Sequence, residues 1–432
     1  MRKISLCALL HVLLLFINCY CEVVEDNCSM QLVESIPENL TFSPGSPTHL
    51  STYNAWRYLI ESARATIDIG SFYWTLRGTP ANQDPTDCEG ESIFRALMDV
   101  GSSEKVKVRI VQSEPSSEFP NNDTAALAAS GAAQVRSLNL ERLVGGGVLH
   151  TKFWIVDSKH FYIGSANFDW RSLTQVKEMG IMALDCSCLA GQLSKAFEMY
   201  WSVALPNATI PSAWPPAVDT QFNVHSPLCL QINETSSLAT FGIDPPEFVA
   251  RGWSSDLDVI LHVIDSATTQ INVAVMDYFP TTLYDDPNTY WPIIDDALRR
   301  AAFNRGVRVR LLASRWNHTF PDMFNYLRSL AALNGTTNEN HAVHVEAGLF
   351  TVPSYTERQA KIPFGRVNHN KYMVTDNAAY VGTSNWSGDY FIDTGGVGLV
   401  VNQTGTASDD LIQEQLLAVF NRDWNSAFTT IL

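Results

Sequence analysis

His150-Thr-Lys-Phe-Trp-Ile-Val-Asp157 and His369-Asn-Lys-Tyr-Met-Val-Thr-Asp376 are two copies of one pattern, His-x-Lys-x₄-Asp, in a single chain. Each copy is followed by a Gly-Ser/Thr-x-Asn cluster, which ends at Asn167 in the first half and at Asn385 in the second. A lone His-x-Lys pair is usually surface polarity, whereas two complete copies with the same downstream cluster indicate a duplicated half-site. We therefore expect a fold made of two equivalent halves.

The halves also match outside the motif. Alternating, strand-like runs at 65–74 and 270–279 each follow a helix-like segment. Matched pairs of strands and helices then lead to each motif. The strand-like runs are 106–111 with 307–312 and 134–138 with 343–347, and the helix-like stretches are 91–100 with 292–305. Alternation of strands and helices predicts an α/β fold with a sheet in each half.

The chain divides into four predicted regions. Residues 1–21 carry Arg2 and Lys3 before an apolar run, which is typical of a cleaved signal peptide, with a short signal anchor as the alternative. Residues 22–210 hold the first motif and residues 246–432 the second. The Pro-rich and polar stretch 211–245 is predicted to connect them.

Two half-sites that meet would place paired side chains around one phosphate: His150, His369, Lys152, Lys371, Asn167 and Asn385. Phosphodiester cleavage needs a nucleophile, a general acid for the leaving oxygen and positive charge around the other oxygens. One imidazole can attack phosphorus and the other can protonate the leaving group. Lysine and asparagine fill the charge-stabilising role, so the motif predicts neither a metal nor another cofactor.

Carboxylates near the motifs have two predicted roles. Glu178 and Asp393 are candidates to orient one histidine each, and ordinary salt-bridged carboxylates are the equally weighted alternative. Asp157 and Asp376 end the motif strands and are predicted to support them from behind. Aromatic residues close to the motifs are expected in the core or the cleft wall, with base stacking as the alternative: Trp170, Trp386, Tyr390 and Phe391.

Composition limits the function further. The chain has 432 residues, 46% hydrophobic and 17% charged, which is typical of a globular protein with a large core. The net charge of −16 excludes a general electrostatic footprint for nucleic acid. A polyanionic substrate must therefore be held locally, or at an acidic pH that protonates histidines and some carboxylates.

Other features indicate the secretory pathway. Asn-x-Ser/Thr sequons begin at Asn27, Asn39, Asn122, Asn207, Asn233, Asn317, Asn334, Asn385 and Asn402, which predicts N-linked glycans. Five of the eight cysteines follow residue 21, an odd number: Cys28, Cys88, Cys186, Cys188 and Cys229. Disulfide bonding is favoured over a metal site for Cys186-x-Cys188, because no zinc-type set accompanies it. We expect an endosomal or lysosomal lumen, with secretion as the alternative.

These motifs resemble the phospholipase D superfamily, whose signature is the doubled His-x-Lys-x₄-Asp pattern. The stretches 150–157, 164–178, 367–375 and 382–388 resemble its animal lysosomal branch, family members three and four. The resemblance implies two α/β/α sandwich units of the phospholipase D fold with one active site at their pseudo-two-fold interface. It implies an acid 5′-exonuclease for single-stranded DNA or RNA, with His150 as the nucleophile that forms a phosphohistidine and His369 as the acid and base.

Alternatives remain open at the level of the sequence. Phospholipid is the alternative substrate, in a lysosomal phosphodiesterase or transphosphatidylase using the same phosphohistidine. A non-catalytic lumenal binding glycoprotein is the second alternative, although both motifs are complete. A homodimer is compatible with the resemblance. The branch has a second N-terminal cysteine, whereas only Cys28 precedes Leu32 after residue 21, so one of the branch's disulfides is not expected here.

Overall fold

The computed structural model describes residues 24–78, 84–404 and 411–432, and the predicted signal segment 1–21 lies outside these ranges. The helices are α1 Thr52–Ser62, α2 Cys88–Ser102, α3 Asn122–Ala129, α4 Leu140–Val144, α5 Trp170–Thr174, α6 Ser187–Val203, α7 Asp256–Ser266, α8 Ile293–Arg305, α9 Asp322–Ala331, α10 Glu357–Lys361, α11 Asp389–Ile392 and α12 Ile412–Trp424. Two 3₁₀ turns span Pro216–Val218 and Pro246–Phe248.

The strands are β1 Val24–Ser35, β2 Thr66–Ser71, β3 Trp74–Thr75, β4 Lys107–Ser113, β5 Gln134–Leu138, β6 Phe153–Val156, β7 His160–Gly164, β8 Phe168–Asp169, β9 Glu178–Leu184, β10 Leu228–Ile232, β11 Thr235–Asp244, β12 Gln270–Val275, β13 Arg308–Ser314, β14 Thr337–Asn338, β15 His341–Ala342, β16 Val345–Phe350, β17 Lys371–Thr375, β18 Ala379–Gly382, β19 Gly396–Gln403 and β20 Thr429–Ile431.

Sixteen of these strands form one continuous sheet that runs through both halves. From the middle outward, the first half has the order β9-β7-β6-β2-β4-β5 and the second has β19-β18-β17-β12-β13-β16. The direction of pairing also repeats: β2–β4 and β12–β13 are parallel, while β6–β7 and β17–β18 are antiparallel. The duplication read from the motifs is therefore a duplication of the whole sheet.

The predicted connection 211–245 is only partly a connection. Its second part forms β10 and β11, which lie at the centre of the sheet, where β10 pairs with β1 and β11 pairs with β19. The sequence Thr-Ser-Ser at the start of β11 gave this segment its loop-like polarity. Those residues pair with β10, Ser237 also pairs with β19, and β11 is buried from Ala239 to Asp244, so backbone pairing outweighs the polar composition.

Alternation along the motif strand builds three layers. Phe153 and Ile155 pack in a cluster shared by both halves and covered by α6 and α12. Trp154 and Val156 point to the other face, where they pack with residues of α1 and α2. A corresponding third cluster lies under α7, α8 and α9 in the second half. Because successive side chains of a strand point to opposite faces, a four-residue apolar strand is buried on both sides.

Asp157 and Asp376 close each motif strand onto its neighbour. The Asp157 carboxylate accepts the backbone N–H groups of Arg64 (2.8 Å), Ala65 (2.7 Å) and Thr66 (2.7 Å). Asp376 in the same way accepts the N–H groups of residues 268–270 at 3.0–3.2 Å. The two carboxylates hold β2 and β12 in register from the end of the motif, as the sequence predicted for their supporting role.

Cysteines and membrane propensity can be compared directly with the sequence. Cys28 on β1 is disulfide-bonded to Cys186 before α6, Cys229 is also disulfide-bonded, and Cys88 is an exposed thiol. Over the described ranges, no helix has both the length and the apolar character needed to span a bilayer.

Candidate active site

The two motifs meet because each histidine is anchored by the opposite half. The backbone N–H of His150 donates to the carbonyl of Gly395 (2.8 Å), and that of His369 donates to the carbonyl of Lys177 (2.8 Å). Residues 149 and 177 form single parallel bridges with residues 395 and 368, which complete the contact on each side of the pseudo-two-fold. Both imidazoles line one cavity of about 220 Å³.

His369 is oriented by a carboxylate from the other half. Its Nδ1 donates to Glu178 at 2.9 and 3.1 Å, and the same carboxylate accepts the hydroxyl of Ser165 (2.6 Å). Glu178 is fully buried at the start of β9. Burial lowers the pKa of His369, and the Glu178 charge acts against that fall. This contact therefore helps His369 to keep a proton.

His150 has a different partner. Its Nδ1 lies 2.8 Å from the backbone carbonyl of Thr383. A carbonyl can only accept, so Nδ1 carries the proton and Nε2 holds the free lone pair in the neutral ring. Burial, followed by the charges of Lys152 and Lys371, lowers the pKa of His150 well below its usual value. The surroundings of His150 therefore favour the neutral imidazole, with the lone pair on Nε2.

The prediction that Asp393 orients a histidine is wrong. Its carboxylate accepts from Thr394 Oγ1 (3.4 Å) and lies against the 145–147 turn, where a Cβ on Gly146 would be 2.4 Å from Asp393 Oδ2. Burial, then the charges of Asp285 and Asp389, raise its pKa to about 6. Asp393 lines the outer cavity instead of contacting an imidazole.

Sheet register explains the error. Gly164 pairs with Gly180 in the first half, and Gly382 pairs with Gly398 in the second. Counting back two residues from each second partner, the position equivalent to Glu178 is Gly396. A Cβ on Gly396 would lie 2.3 Å from Ser384 Oγ, so a side chain at this position requires Ser384 to move. The duplicated sites thus differ at the position that orients the histidine.

Lys152 and Lys371 are buried beside the histidines. Each Nζ donates to the backbone carbonyl of the motif histidine two residues earlier, at 2.8 Å for Lys371. Burial lowers the pKa of Lys152 well below its usual value and lowers that of Lys371 to about 7, with Glu178 acting in the opposite direction on both. An ammonium group has three N–H donors, so each lysine has donors left for an anion, and a bound phosphate would raise both pKa values.

The motif asparagines complete the ring of donors. Asn167 Nδ2 donates to the hydroxyl of Tyr73 (3.4 Å), and Asn385 Nδ2 donates to that of Tyr390 (2.9 Å). Each amide nitrogen has a second N–H to offer a phosphate oxygen. Asn385 is 1% exposed, so its sequon is inaccessible in the folded protein, whereas the sequon at Asn317 is exposed.

Three site residues were missed by the sequence reasoning. Tyr73 donates to Asp169 (2.9 Å), and Asp169 binds the guanidinium of Arg171 through both oxygens. Asp169 and Arg171 stand two and four residues after Asn167 in the sequence, which is the signal that could have found them. Tyr73 lies on a different segment, and no local pattern marked it.

Aromatic residues line the site, and the four residues near the motifs lie in the core or the cleft wall, as expected. Trp170, Trp386 and Phe391 are core residues with 1–4% exposure. Of that predicted set, Tyr390 alone lines the cavity. The other aromatic wall residues are Phe72, Tyr73, Phe119, Tyr284, Trp316 and Phe364. The cavity continues into a wider one of about 1070 Å³.

No group of three or more His, Cys, Asp or Glu side chains is arranged to hold a metal ion anywhere in the described ranges. The charges that face the histidines are those of Lys152, Lys371 and Glu178.

The family model "PLD3/4, PLD-like domain" matches residues 43–354. The chain belongs to this family. It is 49% identical over 407 residues to the 5'-3' exonuclease PLD3 of Xenopus tropicalis, covering 94% of this chain and 81% of the relative. It is 43% identical over 411 residues to the 5'-3' exonuclease PLD4 of Mus musculus, covering 94% and 80%. These matches support the PLD3/4 assignment over nearly the whole length.

Solved structures agree on the fold of this PLD3/4 family member. The phosphatidylserine synthase of Haemophilus influenzae Rd KW20 superposes with a TM-score of 0.57 at 14% identity, covering 88% of this chain and 85% of the synthase. Likeness at that identity concerns the fold alone. It confirms the phospholipase D architecture predicted from the doubled motif.

Proposed function

We propose that this protein is a 5′-exonuclease that hydrolyses phosphodiester bonds of single-stranded DNA or RNA through a phosphohistidine. The observation that carries the proposal is the pair of histidines, one bound to a carbonyl and one to a carboxylate, at a single cavity. The names of the PLD3 and PLD4 relatives supply the direction of digestion.

In the first step, Nε2 of His150 attacks phosphorus and the bond to the leaving oxygen breaks. His369 donates its proton to that oxygen, which leaves as an alcohol. In the second step, neutral His369 takes a proton from water, the resulting hydroxide attacks phosphorus, and the P–N bond to His150 breaks. Both histidines then have their starting protonation.

Charge develops on the non-bridging oxygens during both steps. Lys152, Lys371, Asn167 and Asn385 are the donors placed to bind them, because all four are buried beside the histidines or line their cavity. Donors that are fixed before substrate arrives need no reorganisation in the transition state, and each such donor is typically worth a few kcal/mol. This is the role that a metal has in other phosphodiesterases.

The pKa directions favour acidic conditions. His150 must be neutral to attack, and burial places its pKa well below the usual value. His369 must be protonated, and its pKa is also lowered, although Glu178 acts against the fall. The active window therefore lies between these two pKa values, below the ordinary histidine value of about 6.5. An endosomal or lysosomal lumen has such a pH, and the signal-like segment and exposed sequons support this location.

Single strands are the proposed substrate because the cavity walls are aromatic. A duplex buries its base faces in its own stack, whereas a single strand can offer them to Phe, Tyr and Trp rings. The −16 net charge adds no general attraction for a polyanion, so duplex would gain little from binding the surface.

The test offers purified protein three substrates at pH 5 and pH 7.5. They are 5′- and 3′-end-labelled single-stranded DNA, the matching duplex, and a phospholipid with an alcohol acceptor. We expect stepwise loss from the 5′ end of the single strand, faster at pH 5, and a resistant duplex. His150→Ala provides the matched inactive control, since it leaves the Glu178–His369 pair in place.

Two outcomes would overturn the proposal. Head-group exchange on the lipid that is much faster than oligonucleotide turnover would establish the lipid phosphodiesterase. A folded, monodisperse protein that binds without turning over either substrate would favour a binding glycoprotein.

A further inference from the structure

Phe364 combines three unusual properties. It is 40% exposed, it has a φ of 58° in the left-handed region, and its side chain lines both the catalytic cavity and the wider outer cavity. Bulky residues avoid left-handed backbone, and such strain is retained mainly where a function requires it. The apolar ring of Phe364 is thus held where the two cavities meet.

The loop that carries Phe364 is clamped from both sides. Arg171, from the first half, donates to the carbonyl of Pro363 (2.7 Å). Arg366 donates to the carbonyls of Pro353 and Glu38 (both 3.0 Å), and its backbone N–H donates to Gln175 (3.0 Å). The ring position is therefore fixed before any ligand arrives, which reduces the entropy lost on binding.

A hydrogen-bonded chain joins this loop to the catalytic donors. Asn167 donates to Tyr73, Tyr73 donates to Asp169, and Asp169 accepts the guanidinium of Arg171, which holds the loop. The links from Asn167 to Arg171 join buried or part-buried groups, whereas the last link, from Arg171 to the carbonyl of Pro363, lies at the surface. Hydrogen-bonded side chains therefore connect the phosphate site to the loop that carries Phe364.

The surroundings of Phe364 are flat rings and negative charge. Its ring stacks on His318 at 4.9 Å and 19°, His318 contacts Trp316 at 4.7 Å, and Tyr284, 61% exposed, lines the same two cavities. The wider cavity is also lined by Glu118, Asp285, Asp286 and Asp393, while the Asp389 carboxylate is buried and accepts the backbone N–H groups of Leu283 and Tyr284. Negative charge there disfavours an acyl chain and also repels a phosphate backbone. The favourable contact at this place is therefore the one between a ring and the neutral aromatic face of a nucleobase.

We propose that Phe364 is the base-stacking residue of the substrate site, and that the exonuclease selects single strands because a base near the scissile phosphate must leave its stack to cover this ring. The inference rests on the proposed function and names its specificity determinant. Tyr284 supplies a second exposed ring to the same subsite.

The test compares wild type and Phe364 variants on normal and abasic oligonucleotides. Phe364→Leu should lower kcat/KM on a single-stranded oligonucleotide about five- to a hundredfold, as expected for losing one base–aromatic stack. The second set of substrates carries a tetrahydrofuran abasic residue at the first, second or third position from the 5′ end. At one of these positions, wild type and variant should have equal kcat/KM. Phe364→Trp should restore activity on the normal strand.

Tyr58→Leu is the matched control, because Tyr58 is an exposed aromatic residue on α1, away from both cavities. Its replacement should leave kcat/KM unchanged on normal and abasic strands. If Phe364→Leu does not fold, Tyr284→Leu is compared with wild type on the same normal and abasic strands. A Phe364→Leu defect that is equal on normal strands and on all three abasic strands would overturn the stacking role. Wild-type protein inactive on every strand would refute the proposed function instead.

Discussion

Replacing Glu178 by glutamine tests the division of labour between the histidines. The change keeps the shape of the side chain that bonds His369 Nδ1 and Ser165 Oγ, and removes its charge. A hydrogen bond to a charged group contributes about 1.5–3 kcal/mol and a neutral one about 0.5–1.5. The imidazolium of His369 therefore loses about 1–2 kcal/mol, which predicts a fall in kcat/KM of about five- to thirtyfold.

The pH profile gives a second readout of the same change. Glu178 raises the pKa of His369, Lys152 and Lys371, so its neutral replacement lowers all three. Because the acid must be protonated, the alkaline limb of kcat/KM should move to lower pH. Steady-state rates on an end-labelled single strand from pH 4 to pH 8 measure both effects.

Ser165→Ala is the control for Glu178→Gln. It removes one hydrogen bond to the same carboxylate and leaves the charge, so it should lose less activity and keep the position of the alkaline limb. Thermal melting of both variants separates activity from folding. Wild-type kcat/KM together with an unmoved alkaline limb in Glu178→Gln would refute the assignment of His369 as the acid.

Three further predictions follow from the site and the core. His150→Ala and His369→Ala should each lose several orders of magnitude in rate, and the double variant should be little worse than either; a single variant with most of its activity would refute a shared site. Activity should survive excess EDTA, and loss that added Mg²⁺ or Zn²⁺ restores would contradict the role of the lysines. Burial raises the pKa of Asp256 to about 7 and that of Asp244 well above its usual value, so the native state binds more protons than the unfolded chain between about pH 4 and pH 7. The free energy of unfolding should therefore fall as pH rises through this window, and Asp256→Asn should flatten the dependence measured by denaturant at pH 5 and pH 7.5; an unchanged slope would exclude Asp256.

Elements with local patterns were predictable. The strand-like run 134–138 and the helix-like stretch 292–305 correspond to β5 and α8 within a residue, because strand alternation and helical periodicity are properties of the segment itself. β11 was not predicted, since its first residues are polar and one of its two neighbours, β19, is distant in sequence. Pairing with β19 holds that segment in the central sheet, and the local sequence does not reveal this partner.

The prediction for Asp393 failed for the same reason. His150, His369 and Glu178 were found because motif spacing is local and repeated. The partner of Glu178 is a histidine from the opposite half, and Asp393 was expected to act as its mirror image by counting from Asn385. Only the register of β18 on β19 shows that the true counterpart is a glycine.

In the proposed mechanism, the difference between Glu178 and its counterpart Gly396 accounts for the separate roles of the two histidines. Two identical half-sites would give two histidines with the same partner and equal proton affinity, and each would compete to be nucleophile and acid. Glu178 in one half and Gly396 in the other remove that degeneracy: a carboxylate stabilises a proton on His369, while a neutral carbonyl fixes the tautomer of His150 without stabilising its cation. In the proposed mechanism, symmetry places the phosphate between two equivalent sets of donors, and the difference between Glu178 and Gly396 assigns the order of the steps. Gly396→Ser, or a larger replacement, should displace Ser384 and the adjacent Thr383 carbonyl. It should therefore impair attack by His150 more than proton donation by His369.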